Sequence, residues 1–213
     1  MGPSPAPTGG VSDAPTRRLS APQRRASIEQ AAAQLFAQRG YDATTVAEIV
    51  ARAGVSKPML YRHFESKRQL QMSLLERRRD ELATATLDSF LHGEGTPQRR
   101  LPAMIDAWFA HVEQHSDTSR LLFQDASGDE EVRMLQQELR RRQRAADVAL
   151  LREFGPPLPE EELEALGEII RSSLTGLALW WMDNPDIPRA VPVAAMIRMI
   201  RGMLSAADAS EPD

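Results

Sequence analysis

Between residues 56 and 64 the chain reads Ser-Lys-Pro-Met-Leu-Tyr-Arg-His-Phe, a short segment crowded with cations and aromatic hydrogen-bond donors. Lys57 and Arg62 can donate to phosphate oxygens or guanine edges, and the planar fork of Arg62 allows bidentate pairing. Tyr61 and His63 can donate to phosphates and set docking depth, while Pro58 and Met59 offer apolar contact to a thymine methyl. To act together these groups must share one face of a helix. Leu60 and Phe64, four residues apart, take the buried face, which leaves Lys57, Pro58, Met59, Tyr61, Arg62 and His63 toward solvent or a partner. The chemistry such a face supports is the reading of a DNA groove, with phosphate contacts for affinity and base contacts for specificity.

The surrounding residues predict the elements that would hold this face. Ser20-Ala-Pro-Gln23 is a capping-box pattern and opens a first helix whose apolar face is Ile28, Ala31, Ala32, Leu35 and Phe36, ending at Gly40. Thr45-Val-Ala-Glu48 is a second box and opens a helix burying Val46, Ile49 and Val50. Gly54 suits a left-handed turn, and Ser56 is placed to cap a third helix, with Pro58 tolerated in its first turn. Ser66-Lys-Arg-Gln69 starts a long fourth helix. Helix N-termini at Thr45, Ser56 and Lys67 offer backbone N–H groups to phosphate, and Lys67 adds a full charge. Thr44 is grouped with Thr45 among the DNA-contacting candidates.

Charge agrees with this placement. The whole chain has a formal net charge of -4. From Arg17 to Arg79, 13 basic residues stand against 5 acidic ones, a local +8; the remainder holds 13 basic and 25 acidic residues, or −12. A basic head on an acidic body binds phosphate with one end only.

Gly40-Tyr-Asp-Ala-Thr-Thr-Val46, Ile49, Ala53-Gly-Val-Ser56, Leu60-Tyr-Arg-His-Phe64 and Ser66-Lys67 closely resemble TetR-family transcriptional regulators, from about residue 20 to 75. The resemblance implies an all-helical homodimer, with heads on a palindromic double-stranded operator and bodies that bind a small-molecule effector. It implies phosphate contacts at Thr45, Tyr61, His63 and Lys67, and base contacts at Lys57, Met59 and Arg62. Pro58 departs from the glycine or small residue common at that position and stiffens the start of the helix.

The expected architecture is all-α, with about nine helices: a disordered tail over 1–19, a helix-turn-helix head over 20–66, a body over 67–207 and a tail over 208–213. In the body, helices are expected from Thr96-Pro97, around 119–126, over about 129–153, 159–183 and 189–207. The last two are more apolar than one packing face needs, and pairing with a twin would bury the surplus. The expected interface is Leu166, Ile170, Leu174, Leu177, Trp181, Met196, Ile200 and Met203. Met104, Trp108, Phe109, Phe123, Met134 and Trp180 are candidate lining for an effector pocket, adaptable and apolar.

Several functions find no support. The absence of cysteine removes disulfides and thiolate zinc sites. His111-Val-Glu-Gln-His115 pairs two imidazoles on one helical face, but Glu113 does not follow the first histidine as the zinc-protease pattern needs, so a solvated helix end is expected and no metal or cofactor. The Arg140-Arg-Arg-Gln-Arg144 run is expected to meet acidic neighbours or water. No nucleophile–base pair or phosphate loop marks an enzyme. The N-terminus lacks a signal-peptide pattern and no apolar run approaches the ~20 residues of a membrane span, so a cytoplasmic protein is expected. The reading is a repressor released by its effector; a ligand-independent or architectural DNA binder, or an activator, stands as the alternative.

Overall fold

The computed structural model describes residues 20–123 and 130–208. Among these the regular elements are all helices: α1 (Ala21–Arg39), α2 (Val46–Ala53), α3 (Lys57–His63), α4 (Lys67–Leu91), α5 (Pro97–Gln114), α6 (Ser116–Phe123), α7 (Glu130–Phe154), α8 (Glu160–Met182) and α9 (Ala190–Asp208). None is long and apolar enough to cross a membrane. The expected tail over 1–19, all but Asp208 of the expected tail over 208–213, and the expected end of α6 at Ala126 lie outside the described residues; Asp208 belongs to α9 instead.

The start signals act largely as their chemistry dictates. Ser20 Oγ accepts from the Gln23 N–H, and the Gln23 side chain accepts from the Ser20 N–H at 2.8 Å. Thr45 and Glu48 close the same reciprocal box on α2. Gly54 follows α2 at φ 66 and ψ 32, the left-handed conformation that lets the chain turn sharply into α3. Two caps differ from expectation. Ser56 makes no side-chain cap bond; only its carbonyl is engaged, by the Met59 and Leu60 N–H groups. On α4, Ser66 accepts from the Gln69 N–H at 3.0 Å, but the Gln69 amide accepts from the Glu65 N–H instead of completing the box.

Two apolar clusters organise the packing. The first joins Ile28, Leu35 and Phe36 of α1, Ile49 of α2, Leu60 and Phe64 around α3, and Leu70, Leu74 and Leu75 of α4. It continues into Leu121 and Leu122 of α6 and Val132 and Leu139 of α7, so the head's core does not end at the head. The second joins Ile105, Phe109 and Val112 of α5, Ala178 and Trp181 of α8, and Met196 and Ile200 of α9. Phe123 packs against both.

Charges reinforce the seam between α1 and α4. Glu29 is fully buried and pairs with Arg25 at 3.2 Å and with Arg77 of α4. The same Arg25 donates to Ser73 Oγ at 2.7 Å and lies 4.6 Å over the Phe64 ring. A buried carboxylate left alone would be costly, and two guanidiniums make it tolerable only while α1 and α4 stay in register.

Candidate nucleic-acid interface and body cavity

On α3 the expected division of faces is found. Leu60 and Phe64 are buried at 0% and 1% exposure. Ser56, Lys57, Pro58, Tyr61 and Arg62 are exposed, and Met59 and His63 half-buried. Lys57 Nζ lies 6.0 Å over the Tyr61 ring, a loose contact that leaves its donors outward. Neither Lys57 nor Arg62 takes part in an ion pair among the described residues. A helix backed by two sealed apolar anchors thus presents two uncommitted cations and a phenol on one surface.

The residues around α3 serve the face in different ways. Thr45 is exposed, but its N–H and its hydroxyl both donate to Glu48 Oε2 at 2.8 Å. Arg39 holds the other Glu48 oxygen at 2.7 Å. These bonds, that from the Thr45 backbone first, hold the Glu48 carboxyl below its ordinary range. Part of the α2 N-terminus is therefore already occupied by an anion of the protein itself. Lys67 is spent internally as well: its Nζ donates to the Tyr41 and Thr44 carbonyls, both at 2.8 Å, and lies 4.1 Å over the Tyr41 ring. One of its three donors remains. Thr44 requires a correction. It is 1% exposed, and its hydroxyl donates to the Gly40 carbonyl at 2.8 Å, so a side chain expected at DNA instead closes the α1–α2 loop from within.

A cavity of about 290 Å³ opens in the body between α4, α5, α7, α8 and α9. Of the expected lining, Met104, Trp108 and Phe123 are present, with Trp108 and Phe123 stacked at 5.5 Å and 14°. The other three are corrected. Phe109 is fully buried in the second cluster, wedged edge-on between Trp108 and Trp181. Met134 and Trp180, 60% and 44% exposed, are not part of the cavity lining. What the sequence reading missed is the polar end of the wall: Arg79, Arg140, Gln143, Asp147 and Arg171. Burial raises the Asp147 carboxyl above its ordinary value, and Gln143, donating at 2.8 Å, opposes it together with Arg171 and Arg79. Burial, then Arg140 and Arg171, lowers the Arg79 guanidinium. Arg140 belongs to the run expected to meet acidic neighbours or water; Arg141, Arg142 and Arg144 meet Glu138 and Glu168, and Arg140 also borders the cavity.

Three residues of the expected pairing face are corrected. Trp181, Met196 and Ile200 are buried in the protomer's own core, and the Trp181 indole N–H donates to the Ile187 carbonyl at 2.7 Å. Ile170 and Leu174 border the cavity and Leu177 packs on the second cluster, whereas Leu166 and Met203 are half-buried outside both clusters. Ile169, Ser172, Gly176 and Trp180, spaced three and four apart on α8, are exposed, and so are Val191 and Gly202 on α9. A Cβ built on Gly176 or Gly202 meets nothing within 4 Å.

The paired histidines, His111 on α5 and His115 at its C-cap, are not a solvated end. Their rings stand 4.6 Å apart, half-buried against Arg77, Arg78 and Glu81 of α4, and no third His, Cys, Asp or Glu completes a metal-holding group among the described residues.

A helix-turn-helix head that presents α3, set on a helical body with an internal cavity, defines a class of regulatory architecture. Residues 28–71 match the family described as bacterial regulatory proteins, tetR family, and residues 96–204 match the tetracyclin repressor-like C-terminal domain. The chain belongs to the tetR family. It is 39% identical over 108 residues to the HTH-type transcriptional activator FasR of Mycolicibacterium smegmatis, covering 51% of this chain and 49% of that one. It is 36% identical over 92 residues to the HTH-type transcriptional repressor KstR2 of Mycobacterium tuberculosis, covering 43% and 46%. The chain thus spans about half the length of these curated relatives. Among solved structures, a TetR-like regulator from Rhodococcus sp. RHA1 superposes with TM-score 0.71 at 20% identity, covering 87% of this chain and 98% of that one. FadR of Bacillus subtilis, solved with stearoyl-CoA, superposes with TM-score 0.70 at 16% identity, covering 82% and 96%. At these identities the two superpositions establish the fold.

Proposed function

We propose that the protein is a cytoplasmic, homodimeric, DNA-binding transcriptional regulator that reads a palindromic operator and is released by a small-molecule effector, and so acts as a repressor. The observation that carries this reading is the α3 face, with Lys57, Tyr61 and Arg62 outward and uncommitted over the sealed Leu60 and Phe64. Lys57, Met59 and Arg62 read bases; Ser56, Tyr61, His63 and the remaining Lys67 donor hold phosphates, whereas both Thr45 donors are spent on Glu48. Two copies joined through Ile169, Gly176 and Trp180 of α8 and Val191 of α9 bury the open apolar surface and set two heads for half-sites about 34–36 Å apart.

The cavity supplies the switch. Helix α4 walls it through Arg79, Leu82 and Phe90, and the same helix is tied to the head by Lys67, by Ser73 to Arg25 and by Arg77 to Glu29. A ligand that favours one placement of α4 therefore favours one placement of the head, and it shifts DNA affinity only by its differential affinity for the two states. One observation favours a second reading, activation: FasR, the relative at 39% identity, is named an activator.

Selection of bound fragments from a random double-stranded DNA library tests the first part. A palindromic consensus is expected, and its loss in Gly176→Arg, which drives a charge into the pairing face, is expected with it. Recovery of unrelated sequences would overturn the operator reading in favour of an architectural binder. A reporter behind the selected site, followed with and without the gene, decides repression against activation.

A further inference from the structure

The cavity has a direction. Its α4 wall is one stripe of Arg79, Leu82, Ala83, Thr86, Leu87 and Phe90, spaced three and four apart along a single face. Its α5 wall is a second stripe with the same spacing, Pro97, Leu101, Met104 and Trp108. A third, on α7, runs from Gln143 through Leu150 and Leu151 to Phe154. Helices α4 and α7 point the same way: Arg68 pairs with Glu131 at 3.2 Å beside the head, and Phe90 meets Phe154 edge-on at 5.2 Å at the far end. Helix α5 runs back between them, with Arg100 reaching the Leu91 carbonyl at 3.5 Å and Trp108 stacked on Phe123 nearer the head. Walls of this kind enclose a lane parallel to the helix axes. Phe90 stands 11 residues beyond Arg79 on α4, which makes the lane about 16 Å long. Dividing the volume of about 290 Å³ by that length leaves a mean cross-section of about 18 Å². Non-bonded carbons keep about 3.5–4.0 Å apart, so this section admits one file of methylenes and not two abreast.

Resting on the reading that this cavity is the effector site, we infer that its ligand is an unbranched aliphatic chain laid along α4, with its tail at Phe90 and Phe154. The direction of the chain follows from the lining: Arg79 and Gln143 lie toward the head, whereas Leu87, Phe90, Leu101 and Phe154 leave the far stretch apolar. An extended chain advances about 1.25 Å per carbon, so the lane holds about twelve or thirteen carbons. A fused-ring skeleton of equal carbon count is shorter and about twice as wide, and it does not fit the same section. A ligand of this shape touches α4 over about three turns, and that helix carries the Lys67, Ser73 and Arg77 ties to the head.

Equilibrium dialysis of the full chain against uncharged probes tests this: the even n-alkanols from hexanol to hexadecanol, each below its solubility, and 2-decalol, which folds the ten carbons of decanol into two fused rings. Affinity is expected to rise about threefold to fourfold for each added methylene up to dodecanol and to level off from there. Decanol is expected to bind about tenfold or more tightly than 2-decalol. Ala83→Phe fills the lane about 6 Å beyond Arg79 and leaves about 10 Å before Phe90, so the levelling is expected to move down to octanol. A circular-dichroism melt shows whether that variant is folded; if it is not, the series on the native protein decides alone. A rise that continues unbroken to hexadecanol would overturn the bounded lane, and 2-decalol binding as tightly as decanol would overturn the chain in favour of a compact ligand. Binding of no alkanol overturns the inference too. The effector reading is judged apart, by the affinity for the selected DNA site with and without saturating dodecanol: a chain that binds and leaves that affinity unchanged keeps the ligand class and removes the switch.

Discussion

In the head, Ile49, Leu60 and Phe64 are closed off from solvent at 0%, 0% and 1% exposure within one apolar cluster. In the body, Leu101, Trp108 and Leu174 have side chains behind them and open volume in front. Both regions are bundles of amphipathic helices built under the same packing rules. The difference lies in what each must tolerate. A helix that reads base edges has to hold its donors to within fractions of an ångström, and a sealed core does that. A body that answers a ligand needs space the ligand can fill and at least two arrangements of the wall, and a half-filled core provides both.

This contrast can be broken by paired substitutions. Leu60→Ala opens a void in the sealed region and is expected to cost about 2–5 kcal/mol, whereas Leu101→Ala enlarges an existing space and is expected to cost about 1–2 kcal/mol. Urea unfolding of both variants measures the gap; equal losses would show that the head is not the tighter packing. Next in size, Lys67→Ala removes a charged donor from the Tyr41 and Thr44 carbonyls. It is expected to lower stability by about 1–3 kcal/mol and to weaken binding to all DNA sequences alike, read by unfolding and by titration against matched and mismatched sites. Arg62→Ala is expected to leave the melting temperature unchanged and to cost about 1–3 kcal/mol at the selected operator, with preference relaxed at one base position. Equal losses on every sequence would make Arg62 a phosphate contact.

The smallest effect is a pH dependence seated in the body. Burial first, then the neighbouring imidazole for His111 and Arg78 for His115, lowers both histidines from 6.5. Arg77 opposes protonation of His115 as well, and Glu81 favours it for both. As pH falls below 6.5 the unfolded chain takes up protons first. This contribution to stability is therefore whole above 6.5 and is lost as pH drops through the lower folded-state values. Replacing both residues by glutamine is expected to flatten that decline, seen in melting temperatures recorded on either side of 6.5. An unchanged slope would assign acid sensitivity to other groups.

The head was legible because its signals are local. A serine or threonine three residues before Gln or Glu, a glycine at a left-handed turn and two apolar residues four apart each state a backbone consequence within one helical turn. Thr44 escaped that logic, because nothing in its neighbours says that its hydroxyl turns back to Gly40. The body was legible as helices but not as faces. Periodicity shows that α8 and α9 carry apolar residues on more than one side. It does not say which side meets the protomer's own core, which the cavity and which open surface. Trp181 and Trp180, adjacent in sequence, fall on opposite sides of that division, buried at 6% and open at 44%. Arg79, Arg140 and Arg171 were hidden by a sound prior: a charged residue on a helix usually faces water. Their convergence depends on three helices far apart in the chain, which only the assembled bundle brings together.

The aromatic residues are partitioned in a way that makes the molecule its own optical instrument. Both tyrosines, Tyr41 and Tyr61, belong to the head, and all three tryptophans, Trp108, Trp180 and Trp181, to the body. Trp108 borders the cavity, Trp180 stands on the open face of α8 and Trp181 is sealed in the core between them. Indole emission is therefore tuned to events in the body, and a quencher dissolved in the solvent should reach Trp180 first and Trp181 last. Occupation of the cavity and burial of the α8 surface would each leave a separate spectral trace, with no dye attached to either.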